Sequence, residues 1–234
     1  MSHSSSRVHE QLSRNVPDDI KALVGEKFYP CVSAVQSVAK GDFLVEICED
    51  FGTGRDREKI RTAVLNFLER WKSERSTTLT LFVAFPGDQA AFQEASEDEF
   101  ERLMWSELST LSSVEERDSD WAEGWSKDPA DKNFTLCIGG HAFFVVGLHQ
   151  NSSRKGRRLP YPALIFNFFD QFNDLQKQGA YDAMVIKNRE RDVRFQGEAN
   201  PMAVTHGESW ETIQFSGRSN SREWKCPFHF KSRT

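Results

Sequence analysis

The stretch Cys137–Asn167, CIGGHAFFVVGLHQNSSRKGRRLPYPALIFN, decides the fold. Two apolar runs meet at Gly139-Gly140, and glycine takes without steric cost the positive φ angles that a tight hairpin turn demands. The segment therefore predicts two antiparallel strands. Along the second, side chains alternate, so His141, Phe143, Val145, Gly147 and His149 share one face. Eight residues at ~3.3 Å each put the two histidines on the order of 26 Å apart, too far to bind one metal together. His149 ends the strand where a basic loop begins, with Arg154, Lys155, Arg157 and Arg158; His141 sits beside the turn. Another buried strand is predicted across Pro162–Phe169.

Outward from this centre the pattern is of helices and short strands. Asp18 and Asp19 open a short apolar-spaced segment that reads as a helix. Pro30 biases Tyr29 toward an extended conformation and presents Cys31 near a turn, where a lone cysteine reads as a small buried hydrophobe. Ile60, Val64, Phe67, Leu68 and Trp71 recur at helical spacing between Arg57 and Arg75. Residues 78–85 (TLTLFVAF) read as a strand closed by Pro86-Gly87. Ser96 and Glu99 form a capping-box signature ahead of the stripe Phe100, Leu103, Met104, Leu108 and Leu111. Residues 114–132 are an acidic, irregular connection whose Trp121 and Trp125 cover the core.

Residues 170–178 predict a helix ended by Gly179. Residues 181–195 predict a second, with Met184, Val185 and Val193 as its apolar contacts and Arg189–Asp192 as a solvated, ion-paired face. The last quarter reads as coil or short strand. These elements predict an α+β fold: a mixed, mainly antiparallel sheet, with strands near 78–85, 133–138, 141–148 and 162–168 and long amphipathic helices packed on it.

The 234 residues carry a net charge of -5, 19 Phe and 6 Trp. An acidic balance argues against nucleic-acid and anionic-membrane partners, which are held by accumulated Lys and Arg. Cys31, Cys48, Cys137 and Cys226 form no CxxC pair, which fits a reducing compartment. Cys226 and His229 make a C-x-x-H half-site without a second pair, a weak zinc signal. No stretch has signal-peptide or membrane-span character, so a cytoplasmic protein is expected. Residues 1–15 read as a disordered arm and 16–234 as a single domain.

Ordered along the chain are Tyr29-Pro-Cys31, Phe143 to His149 (FFVVGLH), Ser152-Ser-Arg154 with Arg157-Arg158, Phe166-Asn167 and Gln171-Phe172. Arg191-Asp192, Gln196-Gly197, Asn200-Pro-Met202, Gln214-Phe-Ser-Gly-Arg218 and Trp224-Lys-Cys-Pro-Phe228 follow. In this set the sequence resembles the YqcI/YcgG family. The resemblance implies haem-dependent oxygenases that N-hydroxylate an amino acid or guanidino compound such as arginine, with haem b as cofactor and an electron donor as partner. Under it His149 is the expected iron ligand, with Cys226 and His141 as alternatives. Arg154, Arg157 and Arg158 would meet the propionates, and Phe143 and Phe166, with Phe144 and Phe168, would line the pocket. Glu190, Asp192, Glu198 and Glu208 are candidates to receive a cationic substrate.

The chain departs from the family pattern at Phe169, where a histidine is expected two positions before Gln171-Phe172, and at Gln150, which replaces a proline. The Phe169 change keeps two other readings in view: a haem-binding sensor or carrier, and a cofactor-free small-molecule binding domain.

Overall fold

The computed structural model describes residues 15–112, 121–203, 210–221 and 223–230. Residues 1–14 of the arm expected over 1–15, part of the acidic connection and Glu208 lie outside them, and residue 15 opens the first helix. Five strands form one sheet in the order β1-β2-β5-β4-β3: β1 (Phe43–Ile47), β2 (Thr80–Ala84), β3 (Leu136–Ile138), β4 (His141–Leu148) and β5 (Ala163–Phe168). β1 runs parallel to β2, and every other pairing is antiparallel, which is the mixed, mainly antiparallel sheet expected. The β3–β4 hairpin turns on Gly139 (φ 59°) and Gly140 (φ 75°), and Ile138 pairs with His141 across it.

Helices cover both faces of the sheet. α3 (Arg57–Glu74) and α4 (Glu97–Thr110) lie on one; α1 (residues 15–24) and α2 (Val32–Lys40) lie on the other. The α3 stripe foreseen from Ile60 to Trp71 is fully buried, and Phe67 stacks on Phe168 at 4.4 Å between ring centroids. Ser96 caps α4, its hydroxyl accepting from the Glu99 backbone N–H. Successive residues of a strand feed different cores: Leu81 and Val83 face α3 and α4, Phe82 and Ala84 face α1 and α2. A sheet buried on both sides has no need of polar alternation, which is why β2 and β5 read as continuous apolar runs.

β1 and α2 are elements the sequence patterns did not reveal. β1 is five residues long, and α2 is started by Cys31, whose sulfur accepts from the Ala34 N–H at 3.4 Å, instead of by a Ser, Thr or Asp. α5 (Phe169–Lys177) follows β5 directly, and Gly179 beyond it has φ 68°.

α6 (Tyr181–Gln196) corrects two expectations. Val193 is exposed, as is Ile186. The Arg189–Asp192 segment is solvated only in part: Arg189 and Glu190 are exposed, Glu190 paired with Lys187, but α6 packs against the basic loop and α2 and turns the other two inward, Arg191 donating to the Tyr29 carbonyl at 2.6 Å and Asp192 receiving Arg154. Among the described residues no helix is long and apolar enough to cross a membrane.

Candidate functional site

Tyr29, Pro30 and Cys31 reach the basic loop through two contacts. The Tyr29 hydroxyl donates to the Gly156 carbonyl at 3.0 Å, and a β-carbon at Gly156 would stand 3.2 Å from the Pro30 ring. The residues after the loop's start form a short 3-10 turn, Lys155–Arg157, facing α6. Arg154 is buried and directs Nη2 at both carboxylate oxygens of Asp192, at 2.7 and 2.6 Å. Asp192 also accepts from the Asn200 N–H, so one ion pair joins loop, helix and the segment that follows it. Arg157 donates to the Phe215 carbonyl at 2.8 Å and lies against Gly217, where φ is 83° and a β-carbon would come within 2.5 Å of its side chain.

Between these parts opens a cleft of about 260 Å³, walled by Phe144 and Val146 of β4, by Cys31, by Arg154 and Arg157, and by Asn188, Arg189 and Asp192 of α6. It adjoins a second space of about 200 Å³ lined by Phe172, Tyr181, Met184 and Glu211, and the two share Phe144, Asn188, Arg189, Ala203 and Gln214. One wall is apolar and the other cationic. Burial pushes the Arg157 guanidinium down to about 10 and raises the Cys31 thiol above its ordinary range.

The residues predicted to hold a cofactor divide between two sides of the sheet. Phe143, Phe166 and Phe168 are sealed in the core beneath α3 and α4. His149 lies on that side too, 1% exposed, its ring stacked on Phe100 at 4.2 Å, with neither nitrogen hydrogen-bonded. Desolvation pushes it down to about 4, so it is a neutral imidazole. Arg154, Arg157 and Phe144 belong to the cleft, whereas Arg158 is exposed and donates to the Ser152 carbonyl.

His141 pairs with Asp170 at 2.8 Å beside the hairpin turn. Cys226 packs with Trp224 and Phe230 against the core under α4, away from the cleft, and desolvation holds its thiol up at about 12. Of the proposed substrate carboxylates, Glu190 pairs with Lys187 on the surface and Glu198 is largely exposed. Asp192 alone lines the cleft, already engaged by Arg154. Phe169 is buried against Trp125 and stands behind Phe144, an apolar support for the cleft wall. Gln150 donates to the Phe92 carbonyl.

Cys31, Asn188, Arg189 and Gln214 went unremarked as site residues, because nothing in residue spacing brings positions 31, 188 and 214 together. Cys31 is the thiol that faces the cleft. It stands at the head of α2 with a backbone N–H directed at its sulfur, an arrangement that would stabilise a thiolate if a metal ion bound there displaced the thiol proton to solvent. Among the described residues no three His, Cys, Asp or Glu side chains gather to hold a metal ion, but a haem needs a single axial ligand. The donor set of the cleft fits a haem: one thiol, an apolar wall and cations.

No curated protein and no solved structure matches the chain. The family model described as the YqcI/YcgG family matches residues 20–229, and the chain belongs to that family.

Proposed function

We propose that the protein is a haem-dependent oxygenase that N-hydroxylates an amino acid or guanidino compound, and that the cleft beside Cys31 is where it works. The observation that carries this reading is convergence. Tyr29–Cys31, Arg154, Arg157, Asp192, Asn200 and Gln214 come from five separate segments behind the family resemblance and line one opening. A bound haem would supply oxygen activation and transfer of one oxygen atom to the substrate nitrogen. The electron pair that reduces the other oxygen atom to water comes from a reductant partner.

Cys31 is the residue that would hold the iron in place of His149, whose ring faces the opposite side of the sheet. Arg157, which lines the cleft, would meet a propionate. Phe144, Phe172 and Met184 keep water from the reacting nitrogen, and the polar side chains of α6 orient the substrate.

The protein expressed with haem supply is expected to show an intense Soret band. Its ferrous–carbon monoxide complex should absorb at the long wavelength typical of thiolate ligation in wild type and in His149→Ala, and shift to shorter wavelength, or lose haem, in Cys31→Ser. No Soret band in folded, haem-reconstituted protein would overturn the haem reading. A spectrum changed by His149→Ala and untouched by Cys31→Ser would return the iron to His149.

A further inference from the structure

The cleft holds more hydrogen-bond donors than its own walls use. Arg189 lines both of its parts, and among the described residues it makes no hydrogen bond or ion pair. Asn188 accepts the Val32 N–H at 2.9 Å through Oδ1, which orients its amide and leaves the NH₂ group uncommitted. Gln214 is 9% exposed, yet its side-chain amide has no partner among the described residues and is not sealed from solvent, so what access it retains is toward the cleft it lines.

An amide that meets only solvent at the cleft can exchange that water for a ligand's acceptor. Arg157 adds to this excess: its described hydrogen bonds run to carbonyl oxygens and to no carboxylate, whereas Arg154 is neutralised by Asp192. Of the carboxylates along the walls, Asp192 is taken by Arg154 and Glu211 is engaged as well, so these donors are left without an anionic acceptor of their own. The group that answers a guanidinium and two amide donors is planar, anionic and has two acceptor oxygens.

We propose that Arg189, Asn188 and Gln214 form a carboxylate-binding site, and that it anchors the acid end of the small molecule on which the protein acts. The assignment of that carboxylate to a substrate rests on the oxygenase reading above; a haem propionate is the other source of the same chemistry. The site reverses the polarity expected from sequence, in which Glu190, Asp192, Glu198 and Glu208 were to grip a guanidinium. The cleft grips the opposite end of such a molecule and leaves its nitrogen free to reach the reacting centre.

Isothermal titration of the purified full chain with arginine and with agmatine, which keeps the guanidine and lacks the carboxylate, tests this without relying on turnover. Arginine is expected to bind at least about tenfold more tightly than agmatine. Arg189→Gln should erase the difference, Arg189→Lys should restore part of it, and Gln214→Leu should weaken arginine while leaving agmatine unchanged. Arg189 is exposed, so its replacement leaves folding intact, which an unchanged melting temperature verifies.

Equal binding of the two ligands, or binding of neither, overturns the proposal. If Arg189→Gln instead lowers haem occupancy, read from the Soret band per protein, while the arginine–agmatine difference persists, the site belongs to a propionate and the substrate assignment falls. A colourless protein that still prefers arginine tenfold would sink the haem reading and leave this site standing.

Discussion

His149 shows how one buried side chain writes itself into the behaviour of the protein. Folding holds its imidazole neutral down to about pH 4, whereas in the unfolded chain it takes up a proton near 6.5. The unfolded state thus binds the extra proton between these values, and stability is complete above pH 6.5 and declines as pH falls toward 4. At pH 5 the loss is about 2 kcal/mol. His149→Phe keeps a ring against Phe100 and removes both unsatisfied nitrogens. Urea denaturation should therefore show the variant at least as stable as wild type at pH 7, and losing about 2 kcal/mol less between pH 7 and pH 5. A parallel decline in the two proteins would mean that His149 is not the titrating group.

At the scale of elements, α4 and β4 meet at Gly147. A β-carbon there would stand 2.6 Å from Phe100 Cε1 and 2.8 Å from Cζ, and both rings and sheet are fixed by their own packing. Gly147→Ala should cost about 1–3 kcal/mol in urea denaturation, and Phe100→Leu in the same chain should recover part of it. In the sequence Gly147 stood only as one member of the strand face shared with His141, Phe143, Val145 and His149, and the close approach it permits became visible with the fold.

The hairpin, α3, α4 and the strands β2 and β5 were legible in the sequence. Each is long or punctuated, and each buries the side chains that its period selects. β1 and α2 were not: a five-residue strand carries too few turns of the pattern, and the thiol that starts α2 is not among the residues that advertise a helix start. α6 was legible as a helix, but Arg191 and Asp192 were misread as solvated, because their inward neighbours are the polar groups of loops instead of a sheet.

At the scale of the whole molecule, the cleft depends on a C-terminal segment strapped across α4. Glu101 is the buckle. It is 6% exposed and receives Ser216 Oγ, Asn220 Nδ2 and Arg218 Nη1, each at 2.9 Å. Beyond it Trp224 packs on Trp105, and Phe228 on Phe134. Glu101→Ala removes the acceptor of all three bonds and leaves Arg218 without its buried partner, a change expected to cost about 3 kcal/mol. Hydrogen exchange should quicken across residues 211–221 first, and the arginine preference of the cleft should weaken with it, since Gln214 rides on this segment. Exchange accelerated evenly over the sheet instead would mean that Glu101 holds α4 and not the strap. None of this could be read from sequence order: the site draws on positions as far apart as Cys31 and Gln214, and only the closed fold makes them neighbours.

The order of the sheet gives the chain a timetable. β5 sits between β2 and β4, so β2 waits for its antiparallel neighbour until Ala163–Phe168 have been made, and Gln214 emerges later still. The parallel β1–β2 ribbon and its helices can gather early, but the cleft cannot close on any ligand until the segment carrying Gln214 has left the exit tunnel. Ligand binding in the cleft thus waits on the segment that carries Gln214, and a nascent chain stalled before that segment would carry the scaffold of the site without it.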